Sequence, residues 1–332
     1  MTKRHTHPEG QVKTIWVDSE AVANNVLGDP ARRRIDIYLP AGHDLKGLPL
    51  LVDLVGFTGG GPAHTNWKSF GENAPERLDR LIGSGAMKPC VVAFPDCFTR
   101  LGGNQYINSA AMGNWDDFLL TEAIPAIERE FGCGRRGVFG KSSGGYGAIV
   151  HALLHPDFWS AAACMSGDMG FELMFATDFA ATLRALAKHD GSIKGFLDKL
   201  ESNPKPSGDD IHVLMTLAMA ATYDPAPDEY LGIRLPVTMD TCERIPERWA
   251  NFMKWDPIEM LGEHGEGLKK LKGLWIECGD VDQYNLLYGA RIMTRRLTGM
   301  GIDHEYREFP DNHSSIDYRL DEVLPFLADR LS

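Results

Sequence analysis

Residues 136–154 read RGVFGKSSGGYGAIVHALL and place two serines at one turn. A short apolar run, Val138 and Phe139, enters Gly140-Lys141-Ser142-Ser143-Gly144. A small-residue helical pattern through Gly145, Gly147, Ala148, Ile149, Ala152 and Leu153 leaves it. The reading is strand, sharp turn, helix. In so tight a turn the residues two before and two after the central serine nearly touch, and only glycine fits there easily. Ser142 has Gly140 and Gly144 at those places, whereas Ser143 would have Lys141 and Gly145, and a lysine stem does not fit. Ser142 is therefore the candidate nucleophile. Ser143 opens the helix, whose free N–H groups face developing negative charge. A glycine-rich turn with solvated serines would read the same over five residues, and the flanking strand and helix patterns separate the two readings.

A serine hydroxyl is a weak nucleophile near neutral pH and needs a base, itself oriented by a third group. G-x-S-x-G between strand and helix is the nucleophile-elbow pattern of α/β-hydrolases, where the chain order is nucleophile, acid, histidine. Of the eleven histidines, only His304 and His313 follow the strand containing Trp275. His304 lies inside a strand-like segment, where the sheet would fix its side chain. His313 sits in the loop Phe309-Pro310-Asp311-Asn312-His313-Ser314-Ser315 and is the candidate base. For the acid, Gly279-Asp280-Val281-Asp282-Gln283 offers two carboxylates. Asp282, beyond the turn, is better able to swing toward the histidine, while Asp280 stands where the strand ends. The same pair could serve a cation, but further spaced oxygen ligands are missing from the pattern.

A carbonyl oxygen that becomes negative needs donors, and losing one costs roughly 3 kcal/mol. The backbone N–H of Ser143 is one candidate, and that of Phe57, just past Gly56, is the other, with Thr58 as the fallback. His64, Trp67 and Trp115 are candidates for lining the substrate pocket.

Positioning these groups takes a sheet. Lys13–Ser19 and Arg32–Pro40 alternate as two strands, joined through turn-rich residues into an antiparallel pair. Leu48–Phe57 and Cys90–Asp96 are almost continuously apolar, as strands buried on both faces require. Gly137–Gly140, Ala161–Ser166, Gly273–Cys278 and His304–Phe309 complete the strands. Pro75–Ile82 reads as a short helix. Asp117–Phe131 carries Leu120, Ile124, Ile127 and Phe131 at amphipathic spacing, with Gly132 as its stop. A closing helix runs over 315–331. Strands alternating with helices predict an α/β fold with a doubly wound, mostly parallel sheet.

The interval between Gly167 and Lys272 breaks that rhythm with helical segments at Phe179–Lys188, Ile193–Leu200 and Ile211–Ala221. It predicts a largely helical inserted cap over 169–268, dividing the core into 1–168 and 269–332. The aromatics Phe171, Phe175, Tyr223, Trp249, Phe252 and Trp255 either meet an apolar substrate or build the cap's own core.

At 332 residues, with 43% apolar and 24% charged residues, the chain can bury a large globular core. A net charge of -12 argues against nucleic acid or an anionic membrane as partner. The polar first residues, MTKRHTHPEGQVKTIW, have no apolar stretch of a secretory signal, and no run of about 18 apolar residues predicts a membrane span. Six scattered cysteines without a C-x-x-C pair read as reduced thiols of a cytoplasmic protein. No metal or organic cofactor is expected, a small-molecule ester is the expected partner, and a homo-oligomer remains open.

Three stretches carry a resemblance. Gly140 to Ala148, the block from Tyr106-Ile107-Asn108-Ser109 through Gly113–Phe118 to Ile124-Pro125-Ala126-Ile127, and Gly279–Gln283 with His313-Ser314 resemble the putative-esterase branch of the α/β-hydrolases. That branch includes esterase D (S-formylglutathione hydrolase), feruloyl and acetyl-xylan-type esterases, and mycolyltransferases. The resemblance covers about 35–165 and 270–331 and places the family's acid on Asp282. Here the family's common Met is Ser143, its His-Gly before the oxyanion loop is Val55-Gly56, and the inserted segment is longer than in compact members. The resemblance implies a serine hydrolase acting on carboxylic esters. Acyl transfer, thioester or peptide cleavage on the same groups is the alternative, and a non-catalytic binding protein that kept the fold is a further one.

Overall fold

A computed structural model of the chain describes residues 5–332. Eight strands form one sheet: β1 (Gln11–Asp18), β2 (Arg32–Leu39), β3 (Leu50–Leu54), β4 (Val91–Pro95), β5 (Arg136–Lys141), β6 (Ala161–Met165), β7 (Gly273–Gly279) and β8 (Glu305–Phe309). Their spatial order is β1-β2-β4-β3-β5-β6-β7-β8. β2 runs antiparallel to both β1 and β4, and every other neighbour is parallel. Parallel strands need crossover connections, and these place helices on both faces. That is why β3, β4 and β6 are buried along their whole length.

Each face carries its own apolar layer. On one, α1 (Ala74–Gly83) and the C-terminal α2 (Leu320–Leu331) bury Leu78, Leu81, Val323, Leu324 and Leu327 against Leu51, Val92 and Phe139. On the other, Ile124–Phe131, Ser143–Leu154 and Leu286–Gly299 cover Leu50, Val52, Leu54 and Ile276. These three are α3 (Ile124–Phe131), α4 (Ser143–Leu154) and α5 (Leu286–Gly299).

The expected helix over 117–131 is not uniform. Trp115–Asp117 is α-helical, Phe118–Ala123 widens into a π turn, and α3 resumes at Ile124. The widened turn ends just before Pro125, which has no N–H to give the ladder. Gly132 closes α3 in the left-handed region, φ 69°, as its stop signal predicts.

Between β6 and β7 the chain inserts helices α6 (Phe179–Ala187), α7 (Ile193–Ser202), α8 (Gly208–Tyr223), α9 (Pro246–Met253) and α10 (Pro257–His264). The last two were not expected. Each begins at a proline, preceded by Ile245 or by Asp256, whose carboxylate caps α10 by accepting the N–H of Ile258 at 3.0 Å. Asp256 also accepts the N–H groups of Gly170 and Phe171 at 3.1 and 2.7 Å, tying the start of the insertion to its end. The aromatic residues of the insertion pack on one another: Phe171 on Phe175 and Tyr223, Phe252 on Tyr223, and Trp249 on Phe179 and Phe252. They build its core. Among the described residues no helix is long and apolar enough to cross a membrane.

Candidate active site

The serine turn has the geometry its glycines require. Ser142 stands between β5 and α4 at φ 60° and ψ -127°, a conformation that L-residues seldom adopt and that persists only where surroundings enforce it. A Cβ on Gly140 would lie 2.5 Å from the Gly144 carbonyl carbon, and one on Gly144 only 1.7 Å from the Leu54 oxygen. Both glycines are thus pressed against each other and against the end of β3. The Ser142 N–H donates to the Met165 carbonyl at 3.0 Å, and its own carbonyl accepts the Tyr146 N–H at 2.9 Å. Those bonds lock the peptide on either side of the hydroxyl.

The loop after β7 carries Asp282, and the loop after β8 carries His313. His313 Nδ1 lies 2.8 Å from Asp282 Oδ2, and both residues are buried. The remaining carboxylate oxygen, Asp282 Oδ1, accepts the Tyr284 N–H at 2.9 Å. Gln283 Oε1 accepts the His313 backbone N–H at 3.0 Å, joining the two loops. The Tyr284 ring meets the imidazole edge-on at 4.8 Å, closing one direction in which it could swing. Asp280 instead continues the β7–β8 pairing, its N–H donating to Phe309 O at 2.9 Å.

Ser142, His313 and Phe57 line one cavity of about 510 Å³, roofed by Met174, His212 and Met215 from the insertion. Phe57 is clamped. Gly103 donates its N–H to the Phe57 carbonyl at 2.6 Å, and a Cβ on Gly102 would strike the Phe57 ring at 2.7 Å. The backbone N–H groups of Phe57 and Ser143 have no hydrogen-bond partner among the described residues. Gly56 lets this loop approach the nucleophile, since a Cβ there would sit 3.4 Å from that of Ser142.

The three pocket candidates are corrected by the structure. Trp115 is fully buried, donates its indole N–H to Met112 O at 2.8 Å and lies under the Arg33 guanidinium, so it is a core residue. Trp67 is 58% exposed and does not line the cavity. His64 lies behind the Gly56–Thr58 loop, with its Nδ1 2.5 Å from Asp53 Oδ2. Burial pulls the His64 imidazole down, but the Asp53 carboxylate more than offsets this and the net direction is upward. Sequence reading missed Gln283 and Tyr284, although both adjoin Asp282 in the chain, and it missed His212, which meets Tyr284 Oη at 3.2 Å.

A second polar cluster lies beneath the turn. Ser143 Oγ accepts from Gln105 Nε2 at 2.8 Å and donates to Asp168 Oδ2 at 3.2 Å, and all three residues are buried. Burial pushes the Asp168 carboxyl up to about 7, against weaker opposing hydrogen bonds from Gln105 and Ser143. Asp168 Oδ1 and Gln105 Oε1 have no hydrogen-bond partner among the described residues, an arrangement suited to a carboxyl that keeps its proton. Below its unfolded pKa, 3.8, Asp168 is protonated in both states and adds no pH dependence. Between there and about 7 the unfolded chain loses this proton while the folded chain keeps it, so stability falls as pH rises. Asp168→Asn is expected to remove that slope, which amounts to on the order of 4 kcal/mol across the window. Urea unfolding of both proteins at pH 4.5 and 7.5 measures it, and parallel pH profiles would contradict the assignment.

Residues 29–190 match the model of a family described as putative esterase. No curated protein matches the chain in sequence. Among solved structures, a ferulic acid esterase is similar at 18% identity and a TM-score of 0.63, the match covering 97% of this chain and 100% of that one. An S-formylglutathione hydrolase from Agrobacterium tumefaciens is similar at 16% identity and 0.58, covering 99% and 98%. The S-formylglutathione hydrolase of Staphylococcus aureus is similar at 14% identity and 0.57, covering 97% and 100%. The architecture is that of the α/β-hydrolases.

Proposed function

We infer, for a chain whose residues 29–190 belong to the putative esterase family, a carboxylic ester hydrolase that works through an acyl-enzyme on Ser142. The observation that carries this reading is the His313–Asp282 pair, at 2.8 Å, facing the same cavity as a serine held at φ 60°. His313 takes the Ser142 proton as the oxygen attacks the carbonyl carbon, and Asp282 stabilises the imidazolium that results. The unpartnered N–H groups of Ser143 and Phe57 receive the oxyanion, and their fixed peptides need no reorganisation as charge develops. Collapse expels the alcohol, which takes its proton from His313. Water then repeats the sequence on the acyl-enzyme, with His313 again as base, and frees the acid.

The insertion acts as a cap: its residues Met174, His212 and Met215 bound the cavity and set how much of the substrate is shielded from water. Six cysteines without a disulfide fit a reducing compartment, the cytoplasm. The ferulic acid esterase and S-formylglutathione hydrolases on this fold support an ester or thioester carbonyl as the target. Incubation with p-nitrophenyl acetate and butyrate is expected to release p-nitrophenol, with part of the acyl group trapped as methyl ester when methanol is added. Folded protein that releases none would overturn the reading.

A further inference from the structure

Around the serine turn three carboxylates each have a basic side chain beside them. Asp282 is bound to His313, Asp53 to His64 at 2.5 Å, and Asp317 to Lys68 Nζ at 2.5 Å. Lys141, the residue immediately before Ser142, is half-buried and makes neither an ion pair nor a side-chain hydrogen bond among the described residues. Asp317 and Asp282 are near enough to favour its charge, yet Asp317 already holds the Lys68 ammonium and Asp282 the His313 imidazole. Burial pulls the Lys141 ammonium down from its ordinary value, the direction expected of a desolvated cation without a close partner. Lys141 lines two spaces. One is the small cavity of about 210 Å³ behind the Gly56–Thr58 loop, which is walled by Asp53 and Asp317. The other is the catalytic cavity, whose lining contains Lys141, His212 and His313 and no carboxylate. In a chain of net charge -12, that is a local departure in sign.

We propose that Lys141 selects substrate: the ester cleaved here bears a carboxylate, on its acyl or its alcohol side, which pairs with the Lys141 ammonium while the scissile carbonyl lies at Ser142. The inference rests on the esterase reading and deepens it. A partly desolvated cation in the wall of a carboxylate-free cavity gains from an anion there, because hydrogen bonds to charged groups strengthen as water is excluded. The back cavity does not suit the same ligand, since Asp53 and Asp317 would repel it.

The test compares esters matched in shape and differing in charge. On the acyl side these are the p-nitrophenyl monoester of glutaric acid and p-nitrophenyl valerate. On the alcohol side they are 3-carboxy-4-nitrophenyl butyrate and p-nitrophenyl butyrate. The readout is the ratio of kcat/KM for the anionic ester to that for the neutral one, measured in wild type, Lys141→Met, Lys141→Gln and Lys141→Arg. The expected result is an anionic preference on one of the two sides that falls about tenfold or more in the Met and Gln proteins. The Arg protein, which keeps the charge, should retain most of it, and added salt should reduce it in the wild type. Neutral-ester turnover with no charge preference on either side, or with a preference that the Met and Gln proteins keep, overturns the role of Lys141 alone. Wild-type protein that hydrolyses none of the four esters overturns the esterase reading and this inference with it.

Discussion

Ser142→Ala is expected to lower kcat for p-nitrophenyl esters by roughly 10⁴- to 10⁶-fold while leaving the protein folded. The whole chemical sequence passes through that oxygen, and no other hydroxyl takes its place at the turn. Ser143 Oγ is the nearest rival in sequence, but it lies beneath the turn between Gln105 and Asp168. Alanine at position 142 inherits the same left-handed backbone, so the helix start and the Met165 bond are retained. What survives is the modest acceleration that the oxyanion donors and His313 can give to direct attack by water. Ser143→Ala tests the alternative assignment, because it removes a hydroxyl but keeps the backbone N–H. If Ser143→Ala were the more damaging change, the two serines would have been assigned the wrong way round.

Asp282→Asn is expected to lower kcat by about 10⁴-fold with little change in KM, whereas Asp280→Asn should stay within a few-fold of wild type. An amide at position 282 has nearly the shape of the carboxylate. Its oxygen can still accept the Tyr284 N–H that Asp282 Oδ1 accepts at 2.9 Å, so the loop should hold. Its NH₂ group, however, donates to His313 Nδ1 where the carboxylate accepts from it. The imidazole then carries its proton on Nε2, the atom that has to take the serine proton, and the wrong tautomer faces the nucleophile. The negative charge that would stabilise the imidazolium is also gone. Steady-state kinetics on both variants, with circular dichroism to check folding, measures this. Equal losses from the two substitutions would contradict the assignment of the acid.

How much of this could be read from residues depends on how local the cause is. The serine turn was legible because its demands fall on positions two residues away, and the distances a Cβ would have at Gly140 and Gly144 express the same sterics. The sheet was legible because burial on both faces leaves continuous apolar runs. Choosing Asp282 over Asp280 rested on one residue of reach beyond the strand; in the structure Asp282 Oδ2 lies 2.8 Å from His313 Nδ1. Trp115 was misplaced because the depth of its indole is set by Arg33, a residue 82 positions earlier that stacks on it from β2. His64 was misplaced because its loop folds back on Asp53, a carboxylate inside an otherwise apolar strand, and no local pattern announces that pairing. The two proline-started helices of the insertion are eight residues each, too short for periodicity to stand out. The π turn before Pro125 is a register shift that amphipathic spacing alone does not show.

One measurement goes to the nucleophile itself. Folded protein is treated with a fluorophosphonate probe, digested, and the modified residue located by mass spectrometry, with Ser142→Ala treated in parallel. The mechanism derived above predicts one adduct per chain, on Ser142, and none in the variant. An adduct on another residue, or a variant labelled as fully as the wild type, would contradict it.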